Sequence, residues 1–292
     1  MSPCPLMIQS GHCGLIRIEV QNMPVIKAGA FDLDYSDTGS GPAVVLVHSS
    51  ASGHRQWQRL VEALQSRYRL IAVNLFGYGK TSSWPGTRPL TTADQAELVA
   101  AAAELAPEPV ALIGHSLGGA VAFEAAAKLS GRVRVLVAFE PILFGHLKAH
   151  GPVNAYDEIA GVASRYNELA RTGDWNAVGE WFVDYWTTVG TWAAMPAERK
   201  QNMFAMLPAV VQEWGMATTG TRPLEGWSAI TAPVHLIHAA DTRTHTREIV
   251  KLLAKTYPTW QVHEVPSGGH MAPLGRPDLV NPSIAAVLDE TR

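Results

Sequence analysis

The sequence predicts an α/β fold: a mostly parallel sheet with helices on both faces, interrupted by a helical insertion. Three observations predict it. Short runs rich in β-branched residues alternate with segments of helical periodicity. That alternation stops between about residues 143 and 226, where only helical patterns occur. It then resumes to the end of the chain.

Taken in order, 31–36 alternates apolar and polar residues, as a half-exposed strand does. Residues 43–48 (AVVLVH) form a continuous apolar run suited to a buried parallel strand. Trp57, Leu60, Val61 and Leu64 then recur at helical spacing. A second buried strand is predicted over 69–74, and an alanine-rich helix with a threonine cap over 92–105. Strands over 109–114 and 133–139 enclose a helix over 118–129. In the insertion, Ile159, Val162, Tyr166 and Leu169 mark one amphipathic helix. Asp174 caps a second, and Pro196 opens a third that runs toward Trp214 past Pro208. Strands over 233–238 and 261–265 and helices over 246–256 and 281–289 complete the pattern.

Composition narrows the function classes. Hydrophobic residues are 47% of the 292 and charged residues 17%, with a net charge of -3, so the chain is not of the disordered class. The acidic balance argues against a nucleic-acid partner, which calls for a basic stripe. No stretch is long and apolar enough to span a membrane. Cys4 and Cys13 lie in an N-terminal segment that lacks the pattern of a signal peptide. A cytoplasmic location is the expectation, with 1–16 as a loosely attached tail.

The strongest local signal is Gly114-His115-Ser116-Leu117-Gly118 between a predicted strand and helix. A serine hydroxyl is a poor nucleophile unless it is exposed on a sharp turn and placed beside a base. Downstream, Asp241 and His270 each follow a predicted strand. The C-terminal ends of parallel strands share one edge of the sheet, so Ser116, Asp241 and His270 can meet there as nucleophile, orienting acid and base.

With these pieces the sequence resembles the α/β-hydrolase fold superfamily, in its capped serine hydrolase and esterase subgroup. The matching segments are LVHSS at 46–50, VNLFGYGKTS at 73–82, LIGHSLGG at 112–119, APVHLIHAAD at 232–241 and PSGGHMAPL at 266–274. The resemblance implies a roughly eight-stranded sheet, with a core of 17–142 and 229–292. It places the helical cap, 143–228, between the sixth and seventh strands. It assigns the backbone N–H groups of Ser50 and Leu117 to an oxyanion hole. Ser49 stands where relatives have glycine, so its hydroxyl either joins that hole or is solvated. Asn74, where relatives often have aspartate, supports loop structure. Some capped relatives carry the acid after the sixth strand, where Glu140 stands here; Asp241, in the commoner location, is preferred. Relatives with aspartate as nucleophile are disfavoured by Ser116.

Other patterns lead nowhere. Gly79-Lys80-Thr81 lacks the first glycine of a P-loop, since residue 74 is asparagine. His146 and His150 stand four apart without the glutamate of a zinc-binding helix, and no metal or cofactor is expected. His48, His115, His235 and His238 are read as structural.

Six of the nine tryptophans (175, 181, 186, 192, 214 and 227) fall in one stretch from the insertion to just past it. Trp175, Trp181 and Trp214 are expected to pack the cap on the core. Trp186 and the 203–206 region, together with Ser49 and Met271, are candidates to line a substrate pocket. An aromatic and methionine-rich wall favours an apolar group. The expected reaction is hydrolysis of small to medium apolar carboxylic esters through an acyl-enzyme on Ser116. Carbon–carbon, thioester or lactone hydrolysis and perhydrolysis are alternatives on the same residues, and a non-catalytic receptor is the rival outside enzymology. The expected partner is a small ester-like molecule, with homodimerisation open.

Overall fold

The computed structural model describes residues 24–219 and 222–292. The expected tail at 1–16, with both cysteines, lies outside them. Among the described residues eight strands form one sheet, in the order β1-β2-β4-β3-β5-β6-β7-β8. They are β1 (Val25–Ala28), β2 (Phe31–Thr38), β3 (Ala43–Val47), β4 (Arg69–Val73), β5 (Val110–His115), β6 (Val133–Phe139), β7 (Val234–Ala239) and β8 (Gln261–Val265). β1 pairs antiparallel with β2, and β2 with β4; every later pairing is parallel. The sequence reading named every strand but β1. That strand is four residues long and only Ala28 in it is buried, so it has no apolar period to betray it.

Whereas the edge strand β8 is largely exposed, the central parallel strands β3 and β5 are buried along their whole length because both faces are covered. Their side chains still alternate. Val45, Val47 and Leu112 pack into one core layer, while Val44, Leu46, Ala111 and Ile113 pack into the other. The second layer is closed by α1 (Gln58–Leu64) through Leu60 and Leu64 and, at the far end of the chain, by a helix bearing Val280, Ile284 and Leu288. The first is closed by α2 (Thr92–Ala103) and α3 (Leu117–Leu129). Thr91 and Asp94 begin α2 with reciprocal side-chain to backbone bonds, a capping box one residue earlier than the sequence suggests.

The cap leaves the sheet at the end of β6 and returns at β7, as the family resemblance implies. It carries α4 (Gly145–His150), α5 (Val153–Thr172), α6 (Trp175–Trp186), α7 (Thr191–Ala194) and α8 (Ala197–Thr219). Asp174 caps α6 through a bond from Ala177 N–H, as expected. α5 and α6 are strongly amphipathic, and Ile159, Tyr166, Val178 and Phe182 join the core layer that contains α3. The cap is therefore continuous with the hydrophobic core. The remaining helices are α9 (Thr244–Thr256), α10 (Ala272–Gly275) and α11 (Pro277–Glu290), the last being the helix of the second layer. Among the described residues no helix is long and apolar enough to cross a membrane.

Candidate active site

β5 lies between β3 and β6, and Ser116 stands directly beyond its end. The residue adopts φ 56° and ψ -119°, a conformation that side-chain-bearing residues rarely take. Backbone bonds hold it there: Ser116 N–H donates to Phe139 O at 3.0 Å, and Ala120 and Ile142 N–H donate to Ser116 O at 3.1 and 3.2 Å. The flanking glycines make the turn sterically feasible. A Cβ on Gly114 would lie 2.2 Å from Gly118 O, and one on Gly118 would lie 2.2 Å from Val47 O. Strand, turn and helix pass too close there for any side chain.

His270 sits on the loop after β8. Its Nε2 is 2.9 Å from Ser116 Oγ, and its Nδ1 is 2.7 Å from Glu140 Oε2. A carboxylate only accepts, so Nδ1 carries the proton, and the Nε2 lone pair faces the serine hydroxyl. Ser116, His270 and Glu140 are all at most 5% exposed.

The carboxylate that meets the imidazole is thus Glu140 and not Asp241, which corrects the sequence expectation. Glu140 follows β6 with a positive φ of 44° that the loop imposes. Its Oε1 accepts from Ala239 N–H at 2.9 Å, and its Oε2 also accepts from the Thr242 hydroxyl at 2.8 Å. Asp241 lies at the exposed mouth, where its two oxygens accept from Gly268 and Gly269 N–H at 3.1 and 2.8 Å. Those bonds hold its carboxyl below the ordinary aspartate range even against partial desolvation. Asp241 therefore steadies the loop that carries His270, while the longer glutamate from the neighbouring strand reaches the imidazole.

A second network fixes the histidine's backbone. His115 donates from Nε2 to His270 O at 2.8 Å and accepts from the Gln56 amide at Nδ1, 3.1 Å away. Gln56 Oε1 in turn accepts from Ser49 N–H and from the Ser49 hydroxyl, both at 2.8 Å. Burial pushes the His115 imidazole well below its ordinary range, so it remains neutral. The expected structural roles of His115 and His48 hold: His48 Nε2 accepts from Leu75 N–H at 3.1 Å. The hydroxyl of Ser49, one reading of which joined it to an oxyanion hole, is spent on Gln56 and paired with Ser52 Oγ at 2.8 Å. Asn74 supports its loop as expected, accepting from His54 N–H and donating to Asp34.

Ser50 and Ser116 face the same cavity, which is partly open to solvent. Among the described residues no hydrogen bond uses the Ser50 N–H. Leu117 is the first residue of α3, where N–H groups have no partner within the helix. Ser49, Trp186 and Met271, the three residues expected at the substrate, all line this cavity. Trp186 lies over the His270 ring, 4.3 Å between centroids. Ile142 and Phe144 come from the joint between β6 and the cap, and Phe182, Val210, Glu213 and Trp214 from the cap itself.

Two expectations about the cap need correction. The 203–206 region packs on the core and does not line the cavity, and Trp181, expected to pack the cap on the core, is exposed; Trp214 packs there as expected and lines the cavity as well. Glu213 was not singled out from the sequence. Leu207, Val210, Trp214 and Ala217 form the buried face of α8, and Glu213, three residues after Val210, lies on that face. A carboxylate at a buried position of an apolar stripe is a signal that the helical period carries. Burial pushes its carboxyl up to about 7, against the opposing influence of the nearby Ser50 and Tyr78 hydroxyls.

No group of three or more histidine, cysteine or acidic side chains suited to a metal ion occurs among the described residues. His146 accepts instead from the Trp227 indole at 3.3 Å, and His235 pairs with His263 at 2.9 Å.

Comparison with known proteins agrees with this fold. Residues 44–282 match the sequence profile of the Alpha/beta hydrolase family. A pimeloyl-[acyl-carrier protein] methyl ester esterase of Aliivibrio salmonicida is 38% identical over 105 residues, which is 36% of this chain and 38% of that protein. The match thus spans under two fifths of the esterase's length. A 2-hydroxy-6-oxo-2,4-heptadienoate hydrolase of Pseudomonas putida is 26% identical over 279 residues, 93% of this chain and 98% of the relative. The crystal structure of a hydrolase from Pseudomonas aeruginosa superposes with a TM-score of 0.75 at 20% identity, covering 92% of this chain and 99% of the other. With the family profile covering most of its length and the fold reproduced end to end, the chain belongs to the alpha/beta hydrolase family.

Proposed function

We propose that the protein is a serine hydrolase of small to medium, largely apolar carboxylic esters, working through an acyl-enzyme on Ser116. The carrying observation is the single imidazole held between a serine hydroxyl at 2.9 Å and a buried carboxylate at 2.7 Å. Ser116 Oγ attacks the ester carbonyl as its proton passes to His270 Nε2. The tetrahedral oxyanion lies against the N–H groups of Ser50 and Leu117, and each such donor is worth on the order of a hundredfold in rate. On collapse the alcohol leaves with the proton from Nε2. Water then gives a proton to Nε2 and attacks the acyl carbonyl, and Ser116 Oγ leaves with that proton. Glu140 fixes the imidazole tautomer and balances the transient imidazolium throughout. The apolar cavity walls favour an apolar acyl or alcohol group and limit water around the reacting atoms. Relatives named as esterases support the same reading.

Hydrolysis beside a ketone is the second reading. It is favoured by the relative matched over nearly its full length, whose named substrate is an oxo acid and not an ester. A fluorophosphonate probe should label the wild-type protein and fail to label Ser116→Ala; equal labelling of both would remove Ser116 as nucleophile. Aryl esters of graded acyl length, assayed beside a β-diketone, separate the two reactions. Faster turnover of the diketone would replace the ester reading.

A further inference from the structure

Glu213 is the only acidic side chain among those lining the cavity. It is 2% exposed and comes from the middle of α8, on the cap, opposite the strand edge that carries Ser116. Its Oε1 accepts from the Tyr78 hydroxyl at 2.6 Å, and that hydroxyl in turn accepts from Ala51 N–H at 2.9 Å. Both capacities of Tyr78 are thereby used. The Ser50 hydroxyl lies near enough to favour the charged carboxyl, yet no protein donor makes a well-formed hydrogen bond to Oε2. A buried acceptor left in this state is destabilising. The apolar neighbours Val210 and Trp214 offer nothing to offset it, since the Trp214 indole N–H is itself without a partner. The bond from Tyr78 accounts for Oε1 and leaves Oε2 unexplained.

We propose that Glu213 is a specificity-determining residue whose Oε2 accepts a hydrogen bond from a hydroxyl group of the substrate, remote from the scissile carbonyl. The preferred substrate is then a hydroxylated ester, apolar except at the carbonyl and at that hydroxyl. A neutral hydroxyl fits better than an ammonium, because the remaining walls are hydrocarbon and aromatic and would strip a cation of water without replacing it. The selection deepens the esterase reading and rests on it for the location of the carbonyl.

The test separates binding from turnover. Phenyl esters of graded chain length are prepared in matched sets, with the remote position as hydroxyl, methoxy or hydrogen, on the acyl side and on the alcohol side. Their dissociation constants are measured by calorimetry above about pH 8, where the Glu213 carboxyl is ionised and Oε2 only accepts, on Ser116→Ala and on that variant carrying Glu213→Leu or Glu213→Gln. With Glu213 present, the best-fitting hydroxyl ester should bind roughly tenfold tighter than its hydrogen counterpart. Glu213→Leu should abolish or reverse that ratio. Glu213→Gln keeps an oxygen for Tyr78 and puts a donor at Oε2, so its preference should move to the methoxy ester; this near-isosteric variant decides the matter if the leucine variant does not fold. Ratios unchanged by either substitution, or no hydroxyl ester bound more tightly than its counterpart, overturn the proposal. Turnover by the wild-type protein is scored independently. An intact ratio without turnover removes the catalytic reading and keeps Glu213, and turnover with a flat ratio does the reverse.

Discussion

Replacing Glu140 by glutamine tests the assignment of the acid directly. Both carboxylate oxygens accept hydrogen bonds: Oε1 from Ala239 N–H, Oε2 from Thr242 and from His270. The amide of glutamine must therefore point its NH₂ at one of these donors. If it faces His270, Nδ1 has to accept, the proton moves to Nε2, and the imidazole can no longer take the serine proton. If it faces Ala239, the tautomer survives, but a buried N–H is stranded at a cost of about 1–3 kcal/mol and the charge that balances the imidazolium is gone. In either orientation kcat should fall on the order of 10³- to 10⁴-fold, about 4–5.5 kcal/mol of barrier. Asp241→Asn keeps an oxygen for one of the two glycine N–H groups at an exposed position, so its loss should stay near tenfold or less, about 1.4 kcal/mol. The assay is kcat on a p-nitrophenyl ester for both variants, with thermal melting to confirm folding. An Asp241→Asn loss as large as that of Glu140→Gln would refute the assignment, as would an Glu140→Gln variant within tenfold of wild type.

Three further outcomes follow from the geometry. Gly118→Ala forces a Cβ to within 2.2 Å of the β3 backbone and should destabilise the protein by about 2 kcal/mol or more, whereas Gly161→Ala, with open space around it, should be neutral or stabilising; melting temperatures compare the two. His115→Phe leaves His270 O and the Gln56 amide without their partner, so kcat should drop about tenfold or more with little change in KM, read by steady-state kinetics. Glu213, raised in the fold from 4.5 to about 7, keeps its proton there while the unfolded chain has already released it. Its contribution therefore weakens as pH rises from about 4.5 to about 7, by roughly 3 kcal/mol in all. Denaturant titrations across that range should show the decline in wild type relative to Glu213→Gln, and parallel profiles would contradict it.

The parts of the site that follow from local chain direction were legible in the sequence. The strand 110–115, the glycines around Ser116 and the helix after it can form only one kind of turn, and the end of β8 puts His270 at the same edge. Six of the twelve residues that line the cavity are Ser49, Ser50, Ser116, Trp186, His270 and Met271, all of which the motifs or the aromatic pattern indicated. The choice of acid was not legible. Glu140 and Asp241 follow adjacent parallel strands, so chain order places both near the histidine. What separates them is reach and direction: one methylene more in Glu140, a positive φ there, and two glycine N–H groups that capture Asp241. Those are properties of loops after strands, which periodicity does not encode. The role of Ser49 depended in the same way on Gln56, a partner seven residues away whose side-chain direction no pattern reveals.

Because the carboxylate that meets His270 directly follows the strand from which the cap departs, residues 140–144 form one uninterrupted segment between the imidazole and the chamber wall. Had the acid come from the loop after β7, the cap could be exchanged wholesale, as an interchangeable module, without disturbing the histidine. Here the graft point cannot lie at residue 140. A chimera that swaps lids to alter selectivity must begin downstream of Phe144, and it inherits Ile142 and Phe144 as a fixed part of whatever new chamber it makes.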